Sequence, residues 1–98
     1  MNDGHKKPGD FSALRDFLRG YFHQECIEEY GSLEGAAREF VKLAGQAERK
    51  AVASEWKKFM DLMEKSSREK INQALHRMGS ACEFSSVDEI KKVTEAFR

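Results

Sequence analysis

Asp10-Phe11-Ser12-Ala13-Leu14-Arg15-Asp16-Phe17-Leu18-Arg19-Gly20-Tyr21-Phe22 repeats its large apolar residues at spacings of three and four, which is one stripe along an α-helix. Asp10 or Ser12 is placed to cap its start. Gly20 costs about 1 kcal/mol against alanine inside a helix, so the reading stops or bends the helix before Tyr21. Downstream, three more stripes carry the same period: Leu33, Ala36, Ala37, Phe40, Val41 and Ala44; Ala51, Val52, Trp56, Phe59, Met60 and Met63; and Ile71, Ala74, Leu75 and Met78. A last stripe holds Val87, Ile90, Val93 and Phe97. No segment alternates with period two and no hairpin dipeptide occurs, so the sequence predicts an all-α, compact single-domain bundle of about five helices with no sheet.

Punctuation between the stripes supports that division. Gly31-Ser32 reads as a stop followed by an N-cap, and Gly45 as a left-handed helix end. The pattern Ser-x-x-Glu, in which two side chains satisfy each other's free backbone amides, occurs at Ser66 to Glu69 and at Ser86 to Glu89. Residues 21–31 fit a connector or a short helix. Residues 46–65 should form the longest helix, with a core of Leu14, Leu18, Phe22, Phe40, Val52, Trp56, Met60, Leu75 and Val93. The stripes differ in length, and no internal repeat or low-complexity tract is visible. Residues 1–9 carry no apolar periodicity to offset the entropy of ordering, so they are expected to be a disordered tail ahead of a domain spanning 10–98.

The 98-residue chain has 17 Lys plus Arg and 17 Asp plus Glu. Zero formal net charge removes the basic field of a general nucleic-acid binder. The longest apolar run falls far short of the ~18 residues a membrane span needs, and the charged N-terminus has no apolar stretch behind it to form a secretory signal. A cytoplasmic site of action is the expectation, with no membrane partner. Cys26 and Cys82 are too few for a secreted disulfide framework and are read as reduced thiols.

Catalytic and metal chemistry find little support. His23 and Cys26 share a helical spacing, but a structural zinc site needs four ligands, and His5, His76 and Cys82 supply no matching pair. No phosphate loop, nucleophile elbow, zinc-protease helix or dinucleotide fingerprint occurs. Glu28 and Glu29 are adjacent and point in different directions on a helix, unlike an acid and base flanking one bond. The chain is read as a non-enzyme that holds no cofactor and no metal.

Charge is unevenly spread along the chain. Residues 10–48 carry eight acids and four bases, a net of minus four, whereas 49–98 carry eleven bases and eight acids. In the second half Lys57, Lys58, Lys65, Arg68, Lys70, Arg77, Lys91 and Lys92 are interleaved with acids, which favours ion pairs along each helix over a nucleic-acid patch. The first half instead offers an acidic flank, suited to speeding association with a basic partner.

The block Tyr21-Phe22-His23-Gln24-Glu25, then Tyr30-Gly31-Ser32 and a helix with Ala36, Ala37 and Phe40, resembles a family of small bacterial immunity proteins from contact-dependent growth inhibition systems. The resemblance covers about residues 14–43, and where this chain has Cys26 the family commonly has an aromatic residue. It implies a cytosolic, non-enzymatic inhibitor that binds the C-terminal toxin domain of a cognate effector, often a nuclease. Tyr21, Phe22 and Gly31 are then scaffold, and toxin contact is expected at Asp16, Glu25, Glu28, Glu29 and Glu34, with Tyr30 as an anchor. The rival expectation is a helical adaptor or regulatory subunit with no toxin partner, a choice that the position of the gene behind a large secreted effector would decide.

Overall fold

The computed structural model describes residues 11–98, so the expected tail and the Asp10 cap lie outside the described residues. Six helices follow one another: α1 (Ser12–Tyr21), α2 (Cys26–Tyr30), α3 (Leu33–Leu43), α4 (Gln46–Leu62), α5 (Arg68–Arg77) and α6 (Val87–Ala96). No strand occurs among the described residues. The count exceeds five because residues 26–30, open between connector and helix in the sequence, close a short helix of their own. α4 packs on α1, α6 on α3, and α1 and α3 meet between them.

The stripes become one core. Leu14, Phe17, Leu18, Phe22, Leu33, Phe40, Val52, Trp56, Leu75 and Val93 are all buried. Phe17 is its hub, with ring centroids of Phe22, Phe40 and Phe97 at 5.1, 5.0 and 5.2 Å in edge-on geometry and Tyr21 stacked at 5.4 Å. Edge-on pairs add to burial because the positive rim of one ring faces the negative face of the next. Met60 departs from the expected core: it is only partly buried, beside a groove between the end of α4 and α6.

Helix ends differ from the sequence reading in instructive ways. α1 runs through Gly20, and the Phe22 amide still reaches the Leu18 carbonyl at 2.9 Å. Among the described residues no local side chain caps its N-terminus: Phe11 sits in the left-handed region at φ 56°, and the Leu14 amide donates to Glu55 Oε1 of α4 at 2.8 Å. A distant carboxylate therefore does the work of an N-cap. Ser32 and Ser86 cap α3 and α6 as expected, accepting from the amides of Gly35 and Glu89. The return half of the second box is displaced, since Glu89 Oε1 accepts from the Ser85 amide at 2.9 Å. At α5 the cap is Ser67 rather than Ser66, because the helix begins one residue later and Ser67 accepts from Lys70. Gly45 is extended at φ −66° and precedes α4, so no left-handed residue ends α3 there. Gly31 does end α2 in the left-handed region, at φ 83°.

Two glycines predict opposite effects of the same change. A Cβ at Gly20 meets nothing within 4 Å. One at Gly35, in the first turn of α3, collides with the backbone carbonyl of Tyr30. Gly20→Ala is expected to stabilise by about 0.5 to 1 kcal/mol through helix propensity. Gly35→Ala should destabilise by about 1 to 3 kcal/mol, because backbone rather than a flexible side chain must move. Urea denaturation of both variants separates the two signs.

Candidate functional site

α2 is short, and its residues divide sharply between inside and outside. Cys26 is buried and Tyr30, one turn on, is partly buried, so the helix docks by that edge and turns Ile27, Glu28 and Glu29 to solvent. Glu25, the residue preceding the helix, is exposed one turn below Glu28 and Glu29. Three of the predicted contact carboxylates thus lie on the solvent side of this turn, Glu25 one turn before both Glu28 and Glu29.

His23 organises this face. Its Nδ1 accepts from the Glu25 amide at 3.1 Å, and its Nε2 lies 3.0 Å from Glu29 Oε1. An Nδ1 that accepts leaves the hydrogen on Nε2, which donates to the Glu29 carboxylate. Tyr30 stands behind the acids, stacked on Tyr21 at 5.7 Å with its ring planes 24° apart. Burial first, and the neighbouring Glu29 carboxylate next, push its phenol above the ordinary tyrosine range. The stacked ring buttresses α2 against α1.

The other predicted contacts lie on the margins. Asp16 is exposed on α1 but pairs with Arg19 at 2.7 Å, which cancels its charge locally. Arg19 shares a shallow concavity with His23, Gln24 and Glu25. Glu34, at the start of α3, pairs with Arg38 at 2.8 Å and lines a different concavity together with Asp88, Glu89 and Lys92 of α6. Glu25 and Glu28 form no ion pair with any described residue.

Two features were missed in the sequence. Asp88 and Glu89 belong to the half of the chain with net positive charge, yet the packing of α6 on α3 brings them beside Glu34. Ile27 is 51% exposed in the middle of the acidic turn. Its position beside inward-facing Cys26 is off the buried edge, a signal available only once residues 26–30 are read as helical. In the basic half the expected ion pairing is visible as Lys57 with Asp61 at 3.8 Å and Lys92 with Asp88 at 3.7 Å, both four residues apart. Arg68 instead donates to the Phe84 carbonyl at 3.0 Å.

The connector from α5 to α6 borders the α2 turn. Asn72 clasps the Phe84 backbone from both sides, accepting from its amide at 2.8 Å and donating to its carbonyl at 3.0 Å. His76 bridges it too, with Nδ1 2.7 Å from the Ser80 carbonyl and Nε2 2.9 Å from Glu83. Both partners are acceptors, and only an imidazolium has two N–H groups to give them. The Glu83 hydrogen bond, followed by the Ser80 carbonyl, raises the folded-state pKa above 6.5. The stabilisation is therefore complete below the unfolded value and is lost as pH rises through the folded one. His76→Ala should flatten that decline in stability, measured by denaturation at a series of pH values.

No cluster of three or more metal-ligating side chains occurs among the described residues, and no helix among them is long and apolar enough to cross a membrane. The fold and this surface define a small all-helical protein that displays carboxylates and one exposed aliphatic side chain on a short, well-braced turn. The chain belongs to the CdiI immunity protein family, whose pattern matches residues 10–93. That match extends the resemblance of residues 14–43 over most of the helical bundle. No curated protein and no solved structure matches the chain significantly. Membership points to neutralisation of a toxin of a contact-dependent growth inhibition system.

Proposed function

We propose that this chain acts in the cytoplasm as the immunity protein of one contact-dependent growth inhibition effector, binding its C-terminal toxin domain, a nuclease, without catalysing any reaction. The acidic α2 turn carries the reading. Glu25 and Glu28 are exposed and form no ion pair with a described residue, Glu29 is fixed by His23, and Ile27 rises among them. A nuclease must hold phosphates, so the surface around its active site is basic and is complementary to this turn. Ile27 supplies the apolar contact that charge alone lacks, with Tyr30 behind it, and Glu34 with Asp88 and Glu89 extends the negative rim.

Co-expression with the toxin domain encoded by the adjacent effector gene tests the reading. A stable complex and restored growth are expected, together with loss of nuclease activity on added DNA or RNA. A toxin domain that kills alone, and still kills without forming a complex when the chain is abundant, overturns it and favours a helical adaptor.

A further inference from the structure

Cys26 and Cys82 lie fifty-six positions apart in sequence and meet in the fold. The carbonyl oxygen of His23 accepts from the Cys26 amide at 3.0 Å and from the Cys82 thiol at 3.1 Å. One carbonyl oxygen thus gathers the backbone of Cys26 and the thiol of Cys82 at a single point. The Ala81 amide donates to the Phe22 carbonyl at 2.8 Å, which pins the α5–α6 connector along the turn before α2 and holds this separation. Cys26 is fully enclosed and Cys82 partly exposed. A reagent from solvent therefore reaches the partly exposed Cys82 before the enclosed Cys26, the order that an attacking and a resolving thiol require.

We propose that Cys26 and Cys82 form a reversible intramolecular disulfide, a modification site oxidised by low-molecular-weight disulfides, that ties the α2 turn to the α5–α6 connector. Cys82 loses its proton, and its thiolate attacks one sulfur of the reagent, breaking the reagent's S–S bond and releasing one thiol. Cys26 then loses its proton and attacks the Cys82 sulfur of the mixed disulfide, releasing the second thiol. Two protein thiols are oxidised and one reagent disulfide is reduced, with no other participant. Burial, and then the neighbouring Cys82, pushes the Cys26 thiol up to about 12, and burial raises Cys82 as well. Thiolate is therefore scarce at neutral pH, and the exchange accelerates by about tenfold per pH unit while both thiols remain mostly protonated. The site keeps its dithiol through brief exposure and closes under sustained oxidising conditions. This holds whichever partner the α2 turn meets.

Folded chain incubated with oxidised glutathione at mildly alkaline pH provides the test, read by intact mass and thiol titration. The expected product is a monomer lacking two hydrogen atoms, with both thiols lost together, recovered by dithiothreitol, and with the peptides containing Cys26 and Cys82 linked. Cys26→Ala should accumulate the glutathione adduct at Cys82, because nothing resolves it, and Cys82→Ser should show neither product. Against a glutathione redox series, the effective concentration of the two thiols should be at least about tenfold higher in the native chain than in guanidinium, a comparison that needs no variant to fold. A persistent adduct on the wild-type chain, a disulfide-linked dimer, two unreacted thiols, or no advantage over the unfolded chain would each overturn the proposal.

Discussion

Trp56→Ala is expected to lower the unfolding free energy by about 3 to 5 kcal/mol, the largest stability loss from any single side chain here. The indole is 1% exposed, and its ring lies 5.9, 6.2 and 5.6 Å from those of Phe59, Phe84 and Phe97. It therefore joins α4 to the α5–α6 connector and to the end of α6. Its polar atom is also satisfied: Nε1 donates to Thr94 Oγ1 at 2.9 Å, and that hydroxyl passes its own hydrogen to the Ile90 carbonyl at 2.9 Å. Truncation removes the packing of three elements at once and leaves a cavity that rigid neighbouring rings cannot refill. In a small domain 1 kcal/mol corresponds to roughly 4 to 8 °C, so the melting temperature should fall by more than about 12 °C. Trp56→Phe, which keeps much of the volume but loses the Thr94 bond, should cost about 1 to 3 kcal/mol. An alanine variant that melts within a degree or two of the wild type would show that the indole does not organise this core.

The second large effect concerns recognition. Glu25→Lys combined with Glu28→Lys should slow association with the cognate toxin domain by about tenfold or more at low salt, with the difference shrinking as salt screens the field. Both carboxylates are exposed and form no ion pair with any described residue, so their reversal alters the charge presented to a partner without breaking a bridge seen there. Folding stability should change by less than about 0.5 kcal/mol, which separates a binding defect from an unfolded chain. Asp16→Lys should have a smaller effect on association, because Arg19 already offsets that charge. Stopped-flow association at two salt concentrations reads both variants against the wild type, and an unchanged rate for the double reversal at low salt would remove the α2 turn from the interface.

Periodicity made the helical architecture legible, because every buried stripe serves one core and no strand competes for it. The stripe of α1 was strong enough to override Gly20, whose local preference is worth only about 1 kcal/mol. Met60 shows where periodicity stops short: its spacing matches Trp56, but it faces a groove, and a stripe does not say where the facing helix ends. Caps were legible where serine and its target amide are three residues apart, and illegible at α1, where Glu55 arrives from α4. The carboxylates of the α2 turn followed from composition. The meeting of Glu34 with Asp88 and Glu89, like that of Cys26 with Cys82, depends on how distant segments dock, which local pattern does not encode. Gly35 belongs with them: in sequence it is an unremarkable first-turn residue, and only the approach of the Tyr30 carbonyl shows why a side chain is excluded.

The seat of Phe97 against Phe17, Phe40 and Trp56 sets the order of events during synthesis. All six helices emerge from the ribosome before the ring that closes their shared interior, so the nascent chain carries an open apolar cleft until Phe97 has cleared the exit tunnel. An open cleft of that kind is where chaperones and proteases gain access to a chain during synthesis.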